Sequence, residues 1–179
     1  MAIKNKKNKG FALLISIIFM SVMLALGVAL GSLGYKQQVL ASSAIESQYA
    51  FYSADAALEC ALYADQQQNL FSYALHDANN PPNTIVCGNT SATQMGYSYS
   101  TGTNGILSVS ERLPLDNNTR CADVTIYKYN TPQQITDPIT RVVTYISTYV
   151  FSQGYDVSCN VVANSNGARF VARGESSHY

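Results

Sequence analysis

Between Lys9 and Lys36 the chain carries no charged residue, and the run Phe11 to Gly34 reads FALLISIIFMSVMLALGVALGSLG. No other feature constrains the fold as much, because such a run has to be kept from water as a whole. At about 1.5 Å of rise per helical residue it is about 36 Å long, against about 30 Å for a hydrocarbon core, so it is expected to cross a membrane. Lys4, Lys6, Lys7 and Lys9 crowd its N-terminal flank and no comparable cluster follows. That asymmetry keeps residues 1–10 in the cytoplasm and sends everything after Lys36 outside. A cleaved secretory signal is the competing expectation, since the basic leader and Val39-Leu40-Ala41 before Ser42 satisfy its pattern. A signal core is about 7 to 15 residues long, and this run is longer, so length favours a retained helix.

The junction Lys9-Gly10-Phe11-Ala12-Leu13-Leu14 is a short basic leader that ends in glycine and opens directly into phenylalanine and the apolar run. It resembles the class III signal of type IV pilins and type II secretion pseudopilins. The resemblance implies that a prepilin peptidase cuts after Gly10 and that Phe11 becomes the methylated N-terminus. It also implies that the apolar helix is kept, as a lipid-bilayer anchor before assembly and as the filament core afterwards. The expected partners are then other pilin subunits through the N-terminal helix, the peptidase and a membrane assembly platform. Most pilins carry glutamate at the fifth residue after the cut, where this chain has Ile15. The stretch GFALLISIIFMSVMLALGVAL therefore looks like the PilX-like minor pilins and the tip pseudopilin of type II secretion, whose apolar segments also lack it.

Downstream, no glycine or proline occurs between Tyr35 and Leu75, so the helix is expected to continue outward. Ile45, Tyr49, Tyr52, Ala56, Cys60 and Tyr63 recur at intervals of three and four and define the face expected to bury. From Phe11 to Tyr63 the rod would be about 80 Å long. The aromatic-rich stretch into Ala57-Leu58-Glu59-Cys60-Ala61 also looks like the end of this helix in PilX-like chains. Asn79-Asn80-Pro81-Pro82-Asn83 ends helical structure. Beyond it the period changes to two. Residues 97–101 and 106–110 flank Gly102-Thr103-Asn104-Gly105 as a hairpin, and 121–129 (CADVTIYKY) alternates as a half-buried strand. Residues 142–151 are β-branched and aromatic, and 159–162 with 168–172 bracket Asn166-Gly167 as a further hairpin.

The expected fold is α+β: a long N-terminal transmembrane and amphipathic helix packed on a C-terminal antiparallel β-sheet, a pilin-like plan. Residues 1–10 form the leader, 11–34 the membrane or filament-core segment, 35–75 the amphipathic continuation and 76–179 the β-rich extracellular domain. Gly27 and Gly31 form a G-x-x-x-G with Gly34 following, which fits close helix approach but equally the frequency of glycine in membrane helices.

Without residues 1–10 the chain keeps seven basic and eleven acidic residues, a balance that argues against nucleic acid as a bulk electrostatic partner. Cys60, Cys87, Cys121 and Cys159 lack the C-x-x-C spacing of metal ligands, and an even count outside the cytoplasm implies two disulfides. Three connectivities are open. The reading leans to Cys60 with Cys87, tying a helix to its following loop, and to Cys121 with Cys159, joining two strands.

No catalytic set, cofactor motif or metal motif emerges. His76 and His178 read as surface histidines without a nucleophile beside them. Asp116, Asn117, Asn118 and Asp123 gather oxygens but lack calcium-loop spacing. The sequons at Asn89 and Asn117 are expected to be chance matches. Arg169 and Arg173 read as charged protection of a sheet edge, or as a basic edge for DNA or an acidic surface. The thirteen tyrosines are expected mostly to complete the core, although exposed ones could stack on sugars or bases. Two functions stay open: a structural minor pilin or pseudopilin, near the filament tip and serving assembly priming or adhesion, or a membrane-tethered extracellular binding module that never polymerises.

Overall fold

A computed structural model describes residues 9–136, 138, 141, 143–164 and 170–179, with residues 9, 10 and 12 by backbone alone. The leader residues Lys4, Lys6 and Lys7, the Asn166-Gly167 turn and Arg169 lie outside the described residues. Helix α1 spans Lys9–Gln66, and the chain divides into two compact units, Met1–Ala44 and Ile45–Tyr179. The first unit is helical from Lys9 onward. Its helix is long and apolar enough to cross a membrane, and no side chain in its most apolar window is buried in protein.

The second unit packs the last part of α1 on one face of an antiparallel sheet. The sheet is a meander in the order β3-β4-β5-β6-β7: β3 Thr93–Tyr99, β4 Ile106–Leu115, β5 Arg120–Thr136, β6 Val143–Tyr155 and β7 Ala172–His178. A small ribbon, β1 Val86–Cys87 with β2 Thr90–Ser91, precedes it. The alternation expected for a half-buried sheet is regular. Leu107, Val109, Glu111 and Leu113 of β4 face inward, opposite Ala122, Val124 and Ile126 of β5, and Ile146, Val150 and Ser152 of β6 continue that face. Phe71 and Ile85 complete the core from the loops. The hairpin foreseen around residues 102–105 is present, with Gly102 at φ +108° and Gly105 donating to the Gly102 carbonyl.

The buried face of α1 is not the aromatic one. Ala50, Ala54, Ala57, Ala61 and Ala64 point at the sheet, with Leu58 and Ser53, while Ile45, Tyr49, Tyr52, Ala56 and Tyr63 are exposed and Cys60 is half-buried. The reason is distance. A Cβ placed on Gly154 of β6 would lie 2.2 Å from the Ala50 carbonyl oxygen and 2.3 Å from the Ala54 nitrogen. Helix backbone and strand backbone are in van der Waals contact there, and only methyl-sized side chains fit around that contact.

Three further expectations are corrected. The helix stops at Gln66 rather than running to residue 75, because Asn69 turns left-handed at φ 53° and Leu70 donates back to the Ala64 carbonyl; only a 3₁₀ turn, Tyr73–Leu75, follows. Cys159–Ala163 is a short helix, α2, instead of a strand. The segment satisfies its backbone locally instead, Val161 and Val162 donating to the Ser158 carbonyl and Asn164 to that of Asn160, and its valine propensity is overridden. Arg173 is exposed on β7, an edge strand of the sheet, where the expectation of a charged edge had put it, and its Nε donates to Ser47 Oγ at 2.7 Å. Finally, most tyrosines stay out of the core: among the described ones Tyr155 is buried and Tyr73, Tyr97 and Tyr99 pack half-buried against the core, as expected of a ring at its border, while the others do not.

Candidate functional site

In the first unit the residues expected to be processed stand at the start of α1. Gly10 is helical and Phe11 is 69% exposed. Ile15 is exposed as well, and Gly27, Gly31 and Gly34 have open space where a Cβ would stand. Hydroxyls in this run are satisfied by the helix itself: Ser16 donates to the Leu13 carbonyl, Ser21 to Ile18 and Ser32 to Ala29, each at 2.8 Å. Such back-bonding removes the penalty of carrying serine into hydrocarbon. This surface therefore suits lipid or another apolar helix equally.

In the second unit, polar contacts fasten α1 to the sheet. Asp65 is buried, and its Oδ2 accepts from Lys128 Nζ of β5 at 2.5 Å and from the Tyr179 hydroxyl. Burial, helped by the Asp65 carboxylate, pushes the Tyr179 phenol above its ordinary range. Arg120 lies over the Tyr49 ring, 3.9 Å from its centre. Deeper in the core, Glu111 Oε2 accepts the Ile85 N–H at 2.8 Å while Oε1 has no partner. Burial raises the Glu111 carboxyl, against the lowering effect of that hydrogen bond. Cysteine pairs close the same unit: Cys60 is bonded to Cys87 and Cys121 to Cys159, joining α1 to β1 and β5 to α2.

The sheet face turned away from α1 is the broadest functional candidate of this unit. Arg112 of β4 donates from Nε and Nη2 to Asp123 of β5, both at 2.7 Å, and the Tyr155 hydroxyl adds a bond to Asp123 at 3.1 Å. Burial, followed by the Asp123 charge, pushes Tyr155 up to about 12. Beside this network a cleft of about 560 Å³ is lined by Thr90, Thr93, Met95, Arg112, Pro114, Asn117, Asn118 and Asn160 among others. Asp116, Asn117 and Asn118 all hold positive φ in the β4–β5 turn. Asp116 is engaged by Thr119 and, at 3.6 Å, by Arg120, so the oxygens considered for calcium are split between a turn bond and a strand ion pair. Along the same face Tyr127, Tyr149 and His178 form a row across β5, β6 and β7, with ring centres 6.5 and 6.4 Å apart.

His76 Nε2 lies 2.8 Å from the Leu70 carbonyl in the loop after α1, and His178 sits beside Tyr149. Among the described residues no group of three His, Cys, Asp or Glu converges in a way that would hold a metal.

The Arg112–Asp123 pair is not among the expected sites, yet it has a sequence signal: the two residues are equidistant from the Asp116–Thr119 turn and so face each other in any tight hairpin there. The Asp65–Lys128–Tyr179 cluster had no comparable signal, since its members come from three distant segments. Compared with protein-family models, with curated proteins and with solved structures, the chain has no match.

Proposed function

We propose that this chain is a PilX-like minor pilin or pseudopilin subunit, inserted in the membrane as a precursor and then built into an extracellular filament. One observation carries the reading: a single helix, α1, is apolar up to Gly34 and exposed at its described side chains up to Ala44, then buries an alanine face on an antiparallel sheet. A helix exposed in this way needs lipid or other apolar helices around it, and a filament core supplies the second when the first is left behind. Further support comes from the Lys9-Gly10-Phe11 junction and from two disulfides, which suit a domain outside the cytoplasm.

Processing is the test. Mass spectrometry of the mature protein is expected to find methylated Phe11 at the N-terminus. An intact leader would instead make the chain a membrane-tethered ectodomain, and a start at Ser42 would make the run a cleaved signal. Placement near the tip rests on Ile15: in the pilins that the chain resembles, a glutamate there is understood to pair with the N-terminal amine of a neighbouring subunit, and isoleucine has no carboxylate to offer, so it is poorly suited to repeated stacking. Antibody to the ectodomain should then label the ends of sheared filaments; decoration along the whole shaft would defeat that placement while leaving the pilin reading intact.

A further inference from the structure

Outward positions of β4 to β7 alternate with the core positions, and their chemistry is unusual for a bare sheet face. Aromatic side chains dominate: Tyr127, Tyr149, Phe151 and His178, with Tyr127 and Phe151 each 37% exposed. Ser108, Ser110, Thr125 and Ser176 fill positions between or beside them. Their hydroxyls donate and accept alike. Ser110 and Thr125 already stand 3.1 Å apart, one bonded to the other. Arg112 and Asp123 are the full charges at these outward positions among the described residues, and they cancel in a two-pronged hydrogen bond.

We infer that this outer sheet face is a binding platform for a neutral oligosaccharide, with pyranose rings resting on the Tyr127–Tyr149–His178 row and their hydroxyls met by the adjacent serines and threonine. Charge selects the occupant. Residues 45–179 contain six basic and eleven acidic side chains, so a polyanion such as DNA is repelled at long range and finds no unpaired cation among the face's described residues. A cationic partner finds no unpaired carboxylate among those described residues either. What remains is a ligand without charge, with C–H faces that pack on aromatic rings and many groups that both donate and accept hydrogen bonds; a neutral sugar has all three properties. The cleft bordered by Arg112, Asn117, Asn118 and Asn160 opens on the same face and offers amides to a longer chain. The inference goes beyond the filament reading and does not depend on it, because the platform belongs to the second unit alone.

The test uses the full chain in a polyoxyethylene detergent, which has no sugar head group to compete. The protein is applied to an array with neutral hexose and N-acetylhexosamine oligosaccharides, sialylated and uronic acid oligosaccharides, and single-stranded DNA. Retention is expected on neutral oligosaccharides, changing little between low and high salt. Tyr127→Ala and Tyr149→Ala should each weaken it at least tenfold, Tyr149→Phe should keep it, and Tyr52→Ala on the helix should leave it unchanged. Near-UV circular dichroism checks that each variant is folded; if Tyr149→Ala is not, Tyr127→Ala at its exposed position decides. No retention on the neutral arms, retention confined to the acidic or DNA arms, or full retention by a folded Tyr127→Ala variant would overturn the inference.

Discussion

Gly154→Ala should be among the most damaging single methyl additions in this chain. The added Cβ would meet three helix backbone atoms: the Ala50 oxygen at 2.2 Å, the Ala54 nitrogen at 2.3 Å and the Ser53 carbonyl carbon at 2.8 Å. Backbone atoms cannot swing aside as a side chain does. Ordinary contact begins at 3.4 Å, 1.2 Å beyond the shortest of these, so helix and sheet must part by about that much. A radial gap of about 0.5–1 Å already forfeits a quarter to a half of each dispersion contact, and the loss would spread over the Ala50, Ala54 and Ala57 interface. Overpacking usually costs about 1–3 kcal/mol; with backbone on both sides the upper end, about 3 kcal/mol, is the expected figure. Against a total stability of about 5–15 kcal/mol that is a large fraction. Urea titration of the full chain in detergent, followed by near-UV circular dichroism, measures it. Gly96→Ala is the control, since its Cβ would meet only Ser110 Cβ, at 3.9 Å, and should shift stability by less than about 1 kcal/mol. Equal midpoints for Gly154→Ala and wild type would refute the argument that backbone contact sets the depth of the helix.

Lys128→Met leaves the buried Asp65 carboxylate with the Tyr179 hydroxyl alone and should cost about 3 kcal/mol, the lower end for a broken buried pair, read from the same titration. Cys121→Ser opens the bridge to Cys159 and should remove about 2–5 kcal/mol, seen as less folded protein and a free thiol in non-reducing peptide mapping. Glu111→Gln tests the buried carboxyl. Because burial raises its folded value above the ordinary 4.5, wild-type stability is fully present below that pH and falls as pH climbs toward the raised value. The glutamine variant should lack this decline and be the more stable protein at neutral pH, as pH-dependent thermal melts would register.

Much of the fold was legible because it depends on local pattern. The uncharged run after Lys9, the strict alternation from Cys121 to Tyr127 and the glycine-rich turn at 102–105 each state their structure within a short window. The buried face of α1 was misread for a physical reason. An interval of three and four identifies a stripe but not the side that is buried, and the aromatic stripe is the more hydrophobic of two candidates. Which one wins is decided by Gly154, about a hundred residues away, where the missing side chain lets the backbones touch. A glycine inside a strand was readable as a site of close approach; its partner was not. Arg112 and Asp123 were recoverable from hairpin symmetry, whereas Lys128 and Tyr179 find Asp65 only once the sheet has been laid on the helix.

That depth of contact also explains how the second unit distributes its aromatic residues. An interface that admits little beyond methyl groups has no room for tyrosine, so rings stand on the exposed side of α1, on the far face of the sheet and, for Tyr73, Tyr97 and Tyr99, half-buried at the margin of the core. Elsewhere inside, Phe71 and Ile85 reach the core only past the end of the helix, where the chain leaves more space. Large apolar side chains on a surface give up the burial worth about 1.5–3 kcal/mol apiece, and a fold gains nothing by placing them there. Tyr127 on β5 and the half-buried Tyr149 on β6 owe their outward positions to the sheet's alternation, and on the inference drawn above their aromatic identity serves a ligand. A row that spans three strands, with hydroxyls around it and charge cancelled beside it, is consistent with selection for contact with a ligand.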